Sequence, residues 1–324
     1  MHQQSLIIII LLCLLPQLSW TQGKAELQQH FTNLTNGKKS KIDQRRLEAF
    51  RQNAGVVGVL NNYLTSEHEV QQREAIRLSV QIGTQHEYAI SRMQMVNQLL
   101  KAAEVVESAQ LGRIAASLQR FKRSDFDEAA KRQLAKLIKM ERPHTRQLIE
   151  LAGFVQMYEF LDDLRFEYKD NKHLRQSIGM ALTRCGDEQK RDNLLKNVAK
   201  YRINDEFVFG ILPKLVYARQ KETTNYLFDI ILQDQKTCGS PADHDHGDGN
   251  AGHHHNNVNT EHHHGKINCA YRVMEAIAPY VKGIPLQVGA SGDLVATDYR
   301  QALKTTREWI RANRDNYELN TEVY

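Results

Sequence analysis

The sequence predicts an all-α fold, arranged as an α-solenoid (a superhelix of stacked antiparallel helix pairs). Three observations predict it. Strong helix formers dominate a 324-residue chain that holds only 18 Gly and 6 Pro. Apolar residues recur at i, i+3, i+4 and i+7 in one short segment after another. Turn residues separate these segments at short intervals, so each hairpin carries an apolar face that only a stacked neighbour can bury. With 41% hydrophobic residues, the chain can build a sizeable core, as one elongated domain or two compact ones. An irregular helical bundle is the alternative arrangement of the same helices.

The N-terminus is a segment of another kind. SLIIIILLCLLPQLSWTQG has an apolar core from Leu6 to Leu15, then Pro16, then small residues at Ser19, Thr21 and Gly23. This is the pattern of a secretory signal peptide over residues 1–23, although Met1-His2-Gln3-Gln4 lacks Lys and Arg. The apolar run is too short to span a bilayer core of ~30 Å. Cys13 follows Leu12, where a lipid anchor wants a small residue, so it reads as part of the removed segment. The expectation is an exported protein of the periplasm, cell surface or extracellular space, with no integral membrane span in the mature chain.

Residues 24–54 form a polar segment with a first helix, and Asn36-Gly37 marks a loop after it. From 55 to 237 the helical period takes over. Leu111, Ile114, Ala115 and Leu118 make one stripe; Phe126, Ala130, Leu134, Leu137 and Ile138 make the next. Leu174, Ile178, Ala181 and Leu182 follow, then Phe207, Ile211 and Leu215, then Tyr226, Leu227, Ile230 and Ile231. Turn signals stand between them at Ser66-Glu67, Arg142-Pro143, Lys169-Asp170-Asn171, Gly186-Asp187 and Asn204-Asp205. Several place Asp, Asn or Ser where a side chain can cap a helix. Residues 238–269 are a His-rich loop flanked by cysteines. Residues 270–324 are read as C-terminal helices that cap the solenoid. Within them IPLQVGASGDLVA, from Ile284 to Ala296, reads as an ordered loop with a short hairpin. A last helix runs from Asp298 to Arg314, with Ala302 and Trp309 on one face. The tail from Asn316 is expected to fray.

Residues 170–195, DNKHLRQSIGMALTRCGDEQKRDNLL, carry a specific resemblance. Leu174-Arg175, Ala181-Leu182, Gly186-Asp187 and Leu194-Leu195 stand where a HEAT-type repeat has its signature positions, and the segment resembles that family. Gly186 suits the helix stop and Asp187 the next N-cap. Val70–Gly83 is a weaker echo. The resemblance implies a HEAT-like solenoid over about residues 55–235. Solenoids of this kind present an extended binding surface, which implies an interaction scaffold for a protein or peptide.

One stretch suggests chemistry. DHDHGDGNAGHHHNNVNTEHHHG, residues 243–265, holds His244, His246, His253, His254, His255, His262, His263 and His264, eight of the chain's 14 histidines. Neutral imidazole binds Zn, Cu and Ni, and Asp243, Asp245, Asp248 and Glu261 could complete a shell. The same composition also describes a solvated spacer with no fixed geometry. Eight imidazoles could equally sense pH. Asp243-x-Asp245-x-x-Asp248-Gly249 fails the calcium-loop spacing, since Gly247 and His254 occupy ligand positions. Oxidising compartments favour disulfides. Cys238 and Cys269 flank the stretch and are the expected pair, which leaves Cys185 as a buried free thiol on an apolar helix face.

Other classes find little support. The net charge of +5 is mild for the length. The clusters Lys38–Lys41 with Arg45 and Arg46, and Arg120–Arg123, are sparser than a nucleic-acid-binding stripe. Zinc-protease, nucleophile-elbow, P-loop and dinucleotide motifs do not occur. GASGD at 289–293 reads as a turn. Asp163 and Glu167, beside Asp162, share a helix face at i, i+4 but lack a partner motif. The expectation is a non-enzymatic protein with no certain cofactor. Asn33-Leu34-Thr35 is a glycosylation sequon, relevant only in a eukaryotic host.

Overall fold

The computed structural model describes residues 22–233, 237–238, 267–289, 294–296 and 298–324. Among these, regular structure is helical, with β-pairing limited to isolated bridges. The chain divides into two compact units, one running to Cys185 and including Glu322–Tyr324, the other covering Gly186–Thr321. The division falls inside the 55–237 segment that sequence periodicity treats as continuous.

The first unit begins with α1, residues 22–35. It continues through α2 (Gln44–Arg51), α3 (Gly55–Leu64), α4 (Glu69–Gly83), α5 (Ala89–Val105) and α6 (Ser108–Leu118). A 3-10 turn at Arg123–Asp125 leads into α7 (Glu128–Lys139), α8 (Thr145–Phe154), α9 (Tyr158–Glu167) and α10 (Lys172–Arg184). Packing runs to the next helix and the next but one. α3 lies on α4 and α5, α4 on α6, α5 on α6 and α7, and α8 on α6, α7 and α10. Leu111, Ile114, Ala115 and Leu118 of α6 are buried, as are Ala130, Leu134, Leu137 and Ile138 of α7.

Local chemistry sets the helix ends. Asp127 accepts a 2.8 Å hydrogen bond from Ala130 N and starts α7, whose last turn carries Lys136 and Lys139 against the negative end of the helix dipole. At the end of α5, Arg142 donates to Ala103 O and Glu104 O, each at 2.8 Å, and also to Val106 O. One guanidinium thus satisfies three carbonyls of the turn that leaves α5. Gly83 closes α4 where a Cβ would stand 2.9 Å from Phe121 Cζ, so the close approach requires glycine.

The second unit contains α11 (Glu188–Val198), α12 (Asp205–Gly210), α13 (Leu212–Ala218), α14 (Lys221–Leu232), α15 (Ala270–Ile277) and α16 (Tyr299–Asn313). α14 packs on α13, α15 and α16, and α15 also packs on α13 and α16. Its core holds Phe207, Leu215, Leu227, Phe228, Met274, Tyr280 and Ile310. Of the expected caps, Asn171 accepts from Leu174 N, Asp187 from Lys190 N and Asn204 from Phe207 N, whereas α4 starts at His68 without a side-chain cap from Ser66; Asp298 also caps α16, accepting from Gln301 N. Gly186 takes φ +99°, the left-handed conformation expected of that stop. The two helices of the 170–195 segment therefore exist with the expected joint, one as the last helix of the first unit and one as the first of the second.

Several expectations are corrected. The stripe Phe207, Ile211, Leu215 is not one helix. Backbone continuity breaks at Ile211, because Pro213 supplies no N–H and sits at the start of α13. Ala302 and Trp309 do pack against the core of the second unit, half-buried beside the fully inward Leu303, Thr306 and Ile310 of α16. Cys185 is the C-cap of α10 and is half-buried, rather than a fully buried residue on a helix face. The tail from Asn316 is paired, not frayed. Lys282 N donates to Glu318 O at 2.9 Å, Asn320 N to Tyr280 O at 2.7 Å and Arg123 N to Glu322 O at 3.0 Å. Tyr317 is buried and Tyr324 packs edge-on to Phe154 at 5.5 Å. Aromatic side chains hold a segment that its polar composition would release. The hairpin reading of Ile284–Ala296 matches an antiparallel bridge between Val288 and Leu294.

Candidate functional site

Two adjoining hollows lie on the first unit, of about 480 Å³ and about 420 Å³, and both are lined by Asn97 and Lys101. Together they make a furrow across α3, α5 and α7. The helical period explains its walls. α5 contributes Gln94, Asn97, Gln98 and Lys101, at i, i+3, i+4 and i+7; α7 contributes Ala129, Arg132, Gln133 and Lys136 at the same spacing. α3 and the residue before it supply Ala54, Val57 and Gly58, the first three steps of that pattern. α5 and α7 turn their apolar stripes inward and this second stripe toward the furrow, whereas the α3 wall is made of small and apolar residues, Val57 among them also belonging to the core.

The furrow is cationic and carries side-chain amides, while most of its exposed lining surface is apolar. Lys24 of α1 lies over Gly55 and lines it as well. No carboxylate lines either hollow. The adjoining carboxylates are Glu104 and Asp127, and both are engaged. Glu104 pairs with Lys136 at 2.7 Å and accepts from Gln133. Those hydrogen bonds, Lys136 first, hold its carboxyl below the usual range. Asp127 caps α7 and accepts from Asn97 Nδ2 at 3.1 Å. Lys24, Lys101 and Arg132 make no ion pair among the described residues. Gln98 Oε1 is buried in the furrow wall without a hydrogen-bond partner. Gly58 faces open space, with nothing within 4 Å of a Cβ built on it. The arrangement can hold an anionic or amide-rich chain.

A second cluster has the residue types of a hydrolase. Ser40 Oγ is 2.8 Å from His30 Nδ1, and His30 Nε2 is 3.0 Å from Glu74 Oε1. Arg77 grips the same carboxylate at 2.6 and 2.7 Å. Burial alone would raise the Glu74 pKa, but Arg77 and His30 outweigh it and hold the carboxyl at about 2. Ser40 lines neither hollow. The cluster fastens the loop after α1 to α4.

The eight histidines, His244, His246, His253, His254, His255, His262, His263 and His264, lie outside the described residues, as do most of the signal segment and the Ser of GASGD. The expected cysteine pair is placed as a disulfide, Cys238 to Cys269, with a Cα–Cα distance of 5.2 Å. Cys238 and Ile267 exchange backbone hydrogen bonds of 3.3 and 2.8 Å beside it. Among the described residues no three His, Cys, Asp or Glu side chains gather into a metal site. Asp162 pairs with Arg165 at 2.8 Å and Glu167 with Lys139 at 3.3 Å, so these carboxylates serve surface ion pairs. The free Cys185 thiol donates to Gly153 O, and burial pushes its pKa up to about 12. A thiol in that state is a poor nucleophile.

Sequence reasoning missed the furrow because it tracked only apolar positions. The polar residues at 94, 97, 98 and 101 carry the same period and are legible once both stripes of a helix are read. Among the described residues no helix is long and apolar enough to cross a membrane. The class these features define is an all-helical protein with an open, cationic furrow on its first unit. Comparison with family models, curated proteins and solved structures finds no match to this chain.

Proposed function

We propose that the chain is an exported, non-enzymatic α-solenoid that acts as an interaction scaffold and binds a protein or peptide along α3, α5 and α7. The observation that carries this reading is the recurrence of one spacing on successive helices that pack next but one. Such a repeat lays equivalent side chains in a row, which suits an extended partner better than a small substrate. Export rests on the N-terminal signal pattern. The test is affinity capture from an extract of the source organism with the wild-type chain and with Gly58→Trp, which fills the furrow. A partner retained by the wild type and lost with Gly58→Trp supports the reading. A partner retained equally by both refutes it.

A second reading has its own observation. The disulfide and the Cys238–Ile267 pairing hold together the residues that flank the His-rich stretch. That closure would let donors from both ends reach one Zn, Cu or Ni ion. Calorimetric metal titration of the oxidised protein tests it, beside a variant with 243–265 replaced by a Gly/Ser linker. Saturable binding at integer stoichiometry, lost in the variant, supports metal handling. Weak heat without stoichiometry rejects it.

A further inference from the structure

From the chemistry of its walls, we infer that the furrow of α3, α5 and α7 selects an extended acidic polypeptide segment, with carboxylates at alternate residues. The inference rests on the scaffold reading above and names the partner class.

Three features point to it. Charge comes first. Lys24, Lys101 and Arg132 are unpaired among the described residues, no carboxylate lines the hollows, and Lys136 is already neutralised by Glu104. A cationic strip with its own acids engaged attracts negative charge and repels basic segments. The amides come second. Gln94 and Gln98 stand along the same strip with amides that no described residue engages, whereas Asn97 and Gln133 already serve Asp127 and Glu104. A side-chain amide offers a donor and an acceptor, which matches a peptide bond whatever the sequence. Gly58 is the third. A mid-helix glycine with open space before it costs helix stability, and here it keeps the wall open beside Gln98.

Geometry sets the length. Packed helices lie ~8–10 Å apart, so crossing from α3 to α7 covers ~20 Å, about six residues of extended chain. Extended backbone turns alternate side chains to the same side, so carboxylates at every second residue all face the cations. Single-stranded nucleic acid is the weaker fit, because stacking platforms are aromatic and no aromatic side chain lines the furrow.

The experiment is selection of a displayed random-peptide library, about ten residues long to exceed that span, on the intact chain. Selected peptides are then titrated by fluorescence anisotropy. The expected result is enrichment of peptides with acidic residues at alternate positions. Their affinity should fall about ten-fold or more in Lys101→Glu/Arg132→Glu, surface changes expected to leave folding intact, and should be lost in Gly58→Trp. Gly58→Ala, which adds only a methyl group, should bind as the wild type does and controls for folding. Enrichment of neutral peptides that Gly58→Trp still blocks would overturn the acidic preference and leave the scaffold reading standing. Enriched peptides indifferent to Gly58→Trp would overturn the furrow. Displacement of the selected peptides by equal concentrations of single-stranded DNA would overturn peptide selectivity in favour of a general polyanion site. No enrichment at all would overturn the inference; a partner captured through the furrow from extract would still uphold the scaffold.

Discussion

Arg142 shows how much one side chain can hold. Its guanidinium serves three carbonyls at the end of α5, and charge-assisted bonds of this kind are worth about 1.5–3 kcal/mol where partners would otherwise be stranded. Arg142→Ala should lower stability by about 2–3 kcal/mol in a urea titration, and Arg142→Lys should not restore it, because a point ammonium cannot span the fork. Glu74 gives a pH signature. Its folded pKa of about 2 lies below the ordinary 4.5, so its contribution is complete above about 4.5 and disappears as pH falls towards 2. Allowing for solvent screening, about 1–2 kcal/mol is at stake. Wild type should lose stability more steeply than Glu74→Gln across that window, read by thermal melts at stepped pH. Parallel slopes would remove Glu74 from the account.

Among the elements, legibility in the sequence followed chemistry. Caps at Asn171, Asp187 and Asn204 were readable, because a short polar side chain before an apolar period has one efficient use. The break at Ile211 was hidden by apolar periodicity that carried through it, although Pro213 was the warning. The ordered tail was hidden because the partners of Tyr317 and Tyr324 are distant in sequence. Tyr317 hydroxyl donates to Lys221 O at 2.9 Å, and Tyr324 meets Phe154. The furrow's residues were visible but unread, since a polar stripe alone does not say which helices align. The disulfide carries a prediction at this scale. It closes a separation of 31 residues, worth about 3.7 kcal/mol in the chain-entropy model. Reduction should therefore lower the unfolding midpoint, as should Cys238→Ser/Cys269→Ser. An unchanged midpoint under dithiothreitol would contradict the pairing.

At the scale of the whole molecule, each compact unit has its own apolar core, one from Leu27 to Leu182 and one from Val198 to Tyr317. Calorimetry should resolve two transitions. Reduction should shift the one belonging to the unit that holds Cys238 and Cys269. Deletion of Glu322–Tyr324 should shift the other. That deletion removes the Arg123–Glu322 ion pair at 3.0 Å, the Arg184 bond to Val323 O at 3.2 Å and the Tyr324 contact with Phe154. A single transition moved equally by both changes would contradict independent cores. The scaffold reading belongs to this scale too, because it needs α3, α5 and α7 to present their furrow-facing residues in one row. Its most direct test is site-specific photo-crosslinking. A photoreactive residue replaces Gln94, inside the furrow, or Arg113, on α6 outside it, and the partner captured with the wild type is added. The account predicts a crosslinked species from position 94 that disappears with Gly58→Trp, and none from position 113. Equal crosslinking from both positions, or crosslinking at 94 that survives Gly58→Trp, would contradict it.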